Sequence, residues 1–194
     1  MADHSPSPAF NDRGSALSLL LTRRSARARD LVAPGPSKAQ LATILAAATR
    51  VPDHGKLAPW RFVEVTDREA FAALITGAWR AERPDAGRLE IEALDAFARQ
   101  APCLVAALSC PRESHIPQWE QELSVGAAIM NLLLAAHAMG FAGNWLTGAA
   151  AYLKAVADAL GGRPAGFLFL GTPSKPLEER QRPEPAAAIS RWPG

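Results

Sequence analysis

Residues 120–139, EQELSVGAAIMNLLLAAHAM, are the longest helical candidate of the sequence. Leu123, Ala127 and Met130 recur at helical spacing, and the opposite side of the same helix is apolar as well. A helix that is apolar nearly all round has to be buried, so we predict the central helix of the domain or of a subunit interface. Gly140 follows it, as is typical of the residue after a helix end.

Further helices and strands alternate around this segment. Residues 103–110, CLVAALSC, are almost continuously apolar, which predicts a strand buried on both faces. Capping boxes at Ser37 and Thr66 each predict the start of a helix. The remaining pattern predicts helices over 15–24, 37–50, 66–79, 85–100 and 150–160, and strands over 61–65, 143–146 and 166–170. The fold class is therefore α+β, with few strands and more helix.

The whole chain has the composition of one globular domain. Of its 194 residues, 48% are hydrophobic and 21% are charged, which excludes a disordered or collagen-like chain. A net charge of only +2 gives no electrostatic reason to expect nucleic acid or a membrane as partner. Two cysteines argue against a disulfide scaffold and are compatible with a reducing cytosol, so we expect a cytoplasmic protein.

Both ends of the chain are predicted to lie outside the domain. The N-terminal residues are polar, with the character of neither a signal peptide nor an anchor, and we expect a disordered leader over residues 1–14. The C-terminal stretch is rich in proline, which excludes a regular helix or a central strand. We predict a single domain over residues 15–173 and an extended arm over 174–194, wrapped on a neighbour or loose.

Several standard site motifs are missing from the sequence. No GxGxxG follows a predicted strand, and the phosphate loop GxxxxGK[ST] and the nucleophile motif GxSxG do not occur. The four histidines have no HxxxH or HExxH spacing, and the cysteines form no CxxC. Classical dinucleotide and P-loop folds, serine hydrolase chemistry and a metal site are therefore disfavoured.

Three segments carry the candidate binding residues. In RRSARAR, residues 23–29, the guanidinium groups can each donate two hydrogen bonds to phosphate oxygens. The alternative is that this segment is a solvated basic patch or a weak nucleic-acid contact. TRVPDHGKLAPW at 49–60 places Arg50 and His54 between a helix and a strand, although an ordinary proline loop would look the same. GFAGNWLTG at 140–148 holds glycines that let backbone approach a ligand closely.

In this order, the segments resemble the nitroreductase family of flavoproteins. The resemblance rests on RRS, RxPDHxxxxPW entering a strand, a helix with WEQE, GFxGxW and the strand end FLxLGTP, over roughly residues 19–173. It is strongest to a short bacterial subgroup with a PDH loop. The resemblance implies a nitroreductase-like α+β fold, in which helices flank a central, mostly antiparallel sheet around a long buried helix. It also implies a homodimer with FMN at the subunit interface and an extended C-terminal arm.

The resemblance also implies which residues bind the cofactor. Those implied to contact FMN within the chain are Arg23, Arg24, Ser25, Arg27, Trp145, Leu146, Thr147 and Gly148. Arg27 matches a cation beside flavin N1 and the C2 carbonyl, where it would stabilise the anionic reduced ring. Arg50 and His54 match the loop that reaches the FMN of the other subunit. The segment implied to meet the nicotinamide nucleotide, although it is physically the end of a buried helix, is Ala135, Ala136, His137, Ala138, Met139 and Gly140.

The activity implied is hydride transfer from NADH or NADPH through flavin N5 to a flat acceptor such as a nitroaromatic or quinone, with ping-pong kinetics. The flavin would carry the chemistry, so no catalytic side chain is expected, and His54 is assigned a binding role. Ala58, Lys56 and Leu146 depart from the family pattern and leave the acceptor open. Two alternatives remain: a flavoenzyme of the same fold with a dehydrogenation or flavin-consuming reaction, and a basic nucleic-acid-binding module using Arg23 to Arg29.

Overall fold

The computed structural model describes residues 10–192, and within them five strands form one sheet. The strands are β1 Leu31–Val32, β2 Trp60–Glu64, β3 Cys103–Ser109, β4 Ala142–Leu146 and β5 Arg163–Pro173. Their order is β1-β5-β3-β2, and β4 also pairs with β5. Every pairing among these residues is antiparallel, so the predicted α+β class with a mostly antiparallel sheet is confirmed.

The centre of the sheet is the pair β3 and β5. Cys103 lies opposite Leu170, and the pairing continues to Ser109 opposite Arg163. All seven residues of β3 are buried, as the apolar run 103–110 predicts. The strand β5 begins three residues before the predicted 166, because a shift in register between Ala107 and Leu108 accommodates Pro164, which lacks the N–H of a regular ladder.

Seven helices accompany the sheet in the described residues. They are α1 Ala16–Thr22, α2 Lys38–Ala48, α3 Arg68–Glu82, α4 Arg88–Arg99, α5 Gln118–Ala138, α6 Lys154–Leu160 and α7 Pro185–Ala188. On one sheet face, Leu104 and Phe167 pack with α3, α4 and α6; on the other, Val105 and Leu168 pack with α2 and α5. Neighbouring strand residues point to opposite faces, so one apolar strand supplies both cores.

Two of the predicted helix boundaries are wrong. The helix predicted over 150–160 is broken: a 3-10 turn at Ala149–Ala151 is followed by Leu153 in an extended conformation, and α6 begins only after it. The break buries the Leu153 side chain almost completely in the core. The helix predicted to be capped by Thr66 is capped instead by Asp67, whose carboxylate accepts a hydrogen bond from the Ala70 N–H at 2.9 Å.

The two ends of the described chain both contact the domain. Residues 1–9 of the predicted leader, and 193–194 of the arm, lie outside the described residues. Asn11 is held at the end of α1, because its side chain accepts from the Arg24 N–H at 2.8 Å. In the arm, the prediction that proline excludes helix is wrong at α7: Pro185 occupies the first turn, where its missing N–H leaves no bond unmade.

Candidate functional site

The segment Arg23–Arg27 lies between α1 and the 3-10 turn Ala28–Asp30. Arg23 Nη1 donates to Ser25 Oγ at 3.0 Å, so the first arginine orients the serine hydroxyl. Partial burial lowers the pKa of Arg23, and the nearby cations Arg182, Arg24 and Arg180 lower the pKa further. Such a concentration of positive charge favours an anion as the ligand.

The strand β4 supports this arginine segment from behind. Asn144 Nδ2 donates to the backbone oxygen of Ala26, which is buried. Trp145 follows, with its indole N–H donating to the Ala165 oxygen at 3.1 Å. At Gly148 the backbone φ is +59°, and a Cβ there would meet the Phe97 ring at 3.1 Å, so only glycine fits. The structure thus brings the arginine segment and residues 144–148 together, with Trp145, Thr147 and Gly148 exposed and Leu146 half-buried.

A cleft of about 290 Å³ opens beside the arginine segment, and we call it the arginine cleft. It is lined by Arg24, Ser25, Ala26, Arg27, Asp30, Lys175, Pro176, Leu177, Glu178 and Glu179. Two guanidinium groups, a hydroxyl and the Lys175 ammonium are donors that a phosphate group can accept from, and in this structure Arg24 pairs with Glu179 and Lys175 with Asp30. Lys175, which the sequence analysis did not identify, is positioned by an ion pair of 2.7 Å with Asp30; its one signal was its place two residues after the final strand.

The first part of the C-terminal arm forms the outer wall of the arginine cleft. Arg24 Nε donates to the backbone carbonyl oxygen of Glu178 at 2.6 Å and lies 3.4 Å from the Glu179 carboxylate. Arg182 donates to the Arg23 oxygen at 3.3 Å. In the described structure this part of the arm therefore lies on the arginine segment of its own chain.

The PDH loop, residues 50–59, connects α2 to β2. The Asp53 carboxylate accepts from the Leu57 N–H at 3.2 Å and from the Ala58 N–H at 2.8 Å. These bonds hold a backbone that has positive φ at Gly55, Lys56 and Ala58. His54 Nδ1 lies 2.7 Å from Glu120 Oε2 on α5, and the imidazole is largely exposed.

Arg50 lies on a different cavity from the arginine cleft. A groove of about 540 Å³ runs between α1, α2 and α5, and we call it the α1–α5 groove. It is lined by Arg13, Ser15, Ala16, Leu19, Leu20, Ala47, Arg50, Asn131, Leu134, Ala135 and Ala138. Neither Arg50 nor His54 lines the arginine cleft, so one chain does not bring these two residues to it.

The segment predicted to meet the nicotinamide nucleotide is divided between surface and core. Ala135 and Ala138 line the α1–α5 groove, Met139 is half-buried and Gly140 is exposed with φ +91°. Ala136 and His137 are buried. The six residues therefore do not share one surface.

His137 is an unusual residue of this segment. Neither ring nitrogen completes a hydrogen bond with the described residues, although the Phe141 backbone lies close to the ring. Burial lowers the pKa of His137 to about 4, and the positive charge of Arg23 acts in the same direction. His137 is therefore neutral at pH 7, and it lies close enough to the arginine segment for the charge of Arg23 to act on it.

Comparison with known proteins identifies the family of this chain. The model of the Nitroreductase family matches residues 20–173. The Escherichia coli K12 protein "Putative NAD(P)H nitroreductase YdjA" is 40% identical over 165 residues, which cover 81% of this chain and 88% of that protein. The chain therefore belongs to the nitroreductase family, whose members are FMN-dependent oxidoreductases.

Solved structures share the fold at lower identity. The nitroreductase-like family protein from Bacillus cereus has a TM-score of 0.75 at 20% identity, with 93% of this chain and 97% of that chain covered. The "putative nitroreductase in complex with fmn" from Desulfovibrio desulfuricans has a TM-score of 0.68 at 22% identity, with 92% and 97% covered. The resemblance drawn from the motif order is confirmed at the level of family and fold.

Proposed function

We propose that the protein is an FMN-dependent oxidoreductase that passes a hydride from NADH or NADPH to a flat acceptor such as a nitroaromatic or a quinone. The observation that carries the proposal is the arginine cleft, which is lined by Arg24 and Ser25 of the RRS motif and by Arg27. Asn144 of β4 holds the intervening Ala26. Family membership and the FMN complex of the Desulfovibrio desulfuricans protein support FMN as the group that this donor set receives.

Each part of the site has a distinct task in this proposal. Arg24, Ser25 and Lys175 would hold the phosphate, with Arg23 orienting the serine hydroxyl. Arg27, which is exposed at the rim, would supply positive charge toward the ring. When bound, FMN would supply the redox chemistry by taking up a hydride at N5 from one substrate and passing it to the next, which gives ping-pong kinetics.

The proposal includes a homodimer that completes the site with Arg50 and His54 of a second chain. On α5, Val125, Ile129 and Leu132 pack on the sheet, whereas Leu123 on another side is 63% exposed. On α1, Leu17, Leu20 and Leu21 are exposed too. Exposed apolar side chains of this kind are typical of a subunit interface, and Arg50 lines the α1–α5 groove together with Leu20.

The cofactor is tested by spectroscopy and a double variant. Purified protein should show flavin absorbance with about one FMN per chain, and NADH or NADPH should bleach it under anaerobic conditions. Arg24→Ala with Ser25→Ala should weaken FMN binding about 100-fold, because charge-assisted hydrogen bonds to the phosphate are lost. Arg29→Ala, in the same basic run but outside the cleft lining, is the matched control and should bind FMN normally. A colourless protein that takes up no FMN contradicts the proposal.

The homodimer is tested with charge on its expected interface. Leu20→Asp places a carboxylate in the apolar α1–α5 groove and should convert the dimer to monomers in sedimentation velocity. Leu89→Asp changes a similarly exposed leucine on α4, on the other side of the sheet, and should leave a dimer. A wild-type protein that sediments as a monomer at micromolar concentration would refute this part of the proposal.

A further inference from the structure

Three polar side chains of α5 hold the PDH loop. Asn131 Nδ2 donates to the Arg50 oxygen at 2.9 Å, and the Ser124 hydroxyl donates to the Pro52 oxygen at 2.7 Å. Glu120 Oε2 lies 2.7 Å from His54 Nδ1. Residues four and seven apart lie on one side of a helix, so Glu120, Ser124 and Asn131 form a single polar row along α5.

The loop held by this row is itself stiff. Asp53 uses both carboxylate oxygens on the N–H groups of Leu57 and Ala58. The Lys56 N–H donates to the backbone carbonyl oxygen of Asp53 at 3.2 Å, which closes the turn that begins at His54. With the backbone on each side of it constrained, the orientation of the His54 ring depends on its bond to Glu120.

The bond to Glu120 also decides which ring nitrogen carries the proton. An ionised carboxylate only accepts hydrogen bonds, so His54 Nδ1 must be the donor. A neutral imidazole with the proton on Nδ1 has a lone pair on Nε2. Within residues 10–192 no hydrogen bond to that Nε2 is made, and the ring is exposed.

We propose that Glu120 is a positioning residue that fixes His54 in the Nδ1–H tautomer and presents Nε2 as a hydrogen-bond acceptor to the cofactor. The ligand group that fits is a hydroxyl or N–H donor of the FMN bound by the second chain. The inference rests on the proposed function, because it assigns the partner of His54 within that site. Glu120 itself does not contact the cofactor.

A positioning role for Glu120 affects FMN binding, whereas a purely structural role would affect folding stability. The hydrogen bond between His54 and Glu120 is open to solvent, so it contributes little to folding stability. Removing the carboxylate should therefore leave thermal unfolding nearly unchanged while the ring loses its fixed tautomer. The substitution should instead weaken FMN binding, and this loss should depend entirely on the presence of His54.

The test is a double-mutant cycle on the full-length protein with FMN as the titrated ligand. Glu120→Ala and His54→Ala should each weaken FMN binding about 10-fold, and the double variant should be no weaker than His54→Ala alone. Glu120→Gln keeps an oxygen that can accept from Nδ1 and should restore most of the affinity. Glu122→Ala is the matched control, since Glu122 lies on the same helix but pairs with Arg163 at 2.8 Å.

A second measurement reads the tautomer without FMN. Long-range ¹H–¹⁵N spectra of the histidine rings, with His54 assigned from His54→Ala, should show Nδ1–H in the wild type and in Glu120→Gln. Glu120→Ala should shift the ring toward the Nε2–H form. Additive losses in the cycle, or an Nε2–H ring in the wild type, would overturn the inference even if FMN binds. A wild-type protein that binds no FMN but keeps the Nδ1–H ring overturns the proposed function instead.

Discussion

The two halves of the candidate site are built in different ways. The arginine segment is anchored in its own chain's core: Ala26 within it and Ala28 directly after it are buried, Asn144 holds it from β4, and the C-terminal arm covers it. The PDH loop is mostly exposed and is attached to α5 by side chains. The internal support of the arginine segment suits tight binding of a phosphate, whereas the exposure of the PDH loop suits contact with a second chain.

The largest effect that separates the halves is expected from His137, which is buried and whose pKa is lowered further by the charge of Arg23. Its pKa is lowered to about 4, mainly by burial, so between pH 6.5 and 4 the unfolded chain takes up a proton that the folded chain does not. The free energy of unfolding should therefore fall by about 3 kcal/mol as the pH is lowered through this window. Urea unfolding at a series of pH values measures the loss.

The matching variant is His137→Leu. Because neither ring nitrogen has a partner among the described residues, the apolar side chain should be tolerated at pH 7. It should also remove this part of the acid sensitivity. If the variant loses stability between pH 6.5 and 4 as steeply as the wild type, His137 is not the group responsible.

A smaller effect is expected from Asn144→Ala, which removes the tie between β4 and the arginine segment. The buried Ala26 oxygen would lose its side-chain donor, and the free energy of unfolding should fall by about 2 kcal/mol. FMN affinity should fall too, because Ala26 lies between Ser25 and Arg27. A variant with wild-type stability would show that the arginine segment does not depend on β4.

The smallest effect is expected from Asn131→Ala, the corresponding change under the PDH loop. The Arg50 oxygen that Asn131 contacts is accessible to water, which can replace the amide, so the loss should be about 0.5 kcal/mol. Comparing the two asparagine variants by urea unfolding isolates the difference between the halves. Equal losses would mean that the PDH loop is as deeply integrated as the arginine segment.

Much of the fold followed from local patterns. The strand 103–110 was predictable as a short, almost continuous apolar run, and the long helix from its length and the helical spacing of its apolar residues. The capping box at Ser37 was predictable because donor and acceptor are three residues apart. The helix predicted over 150–160 failed because burying Leu153 outweighed local helix propensity. The two-residue strand β1 was missed because it exists only by pairing with Thr172 and Pro173.

The candidate site, like the fold, has parts that local sequence patterns predict and parts that they do not. The order of motifs was enough to predict the family and to indicate the arginines, His54 and residues 145–148, because residue type and spacing can be seen in the sequence alone. Only the tertiary structure decided what supports them: Asn144 meets Ala26 across 118 residues, Lys175 meets Asp30 across 145, and Glu120 meets His54 across 66. Such pairs form only when the antiparallel sheet and α5 bring distant segments together, and no local pattern encodes them.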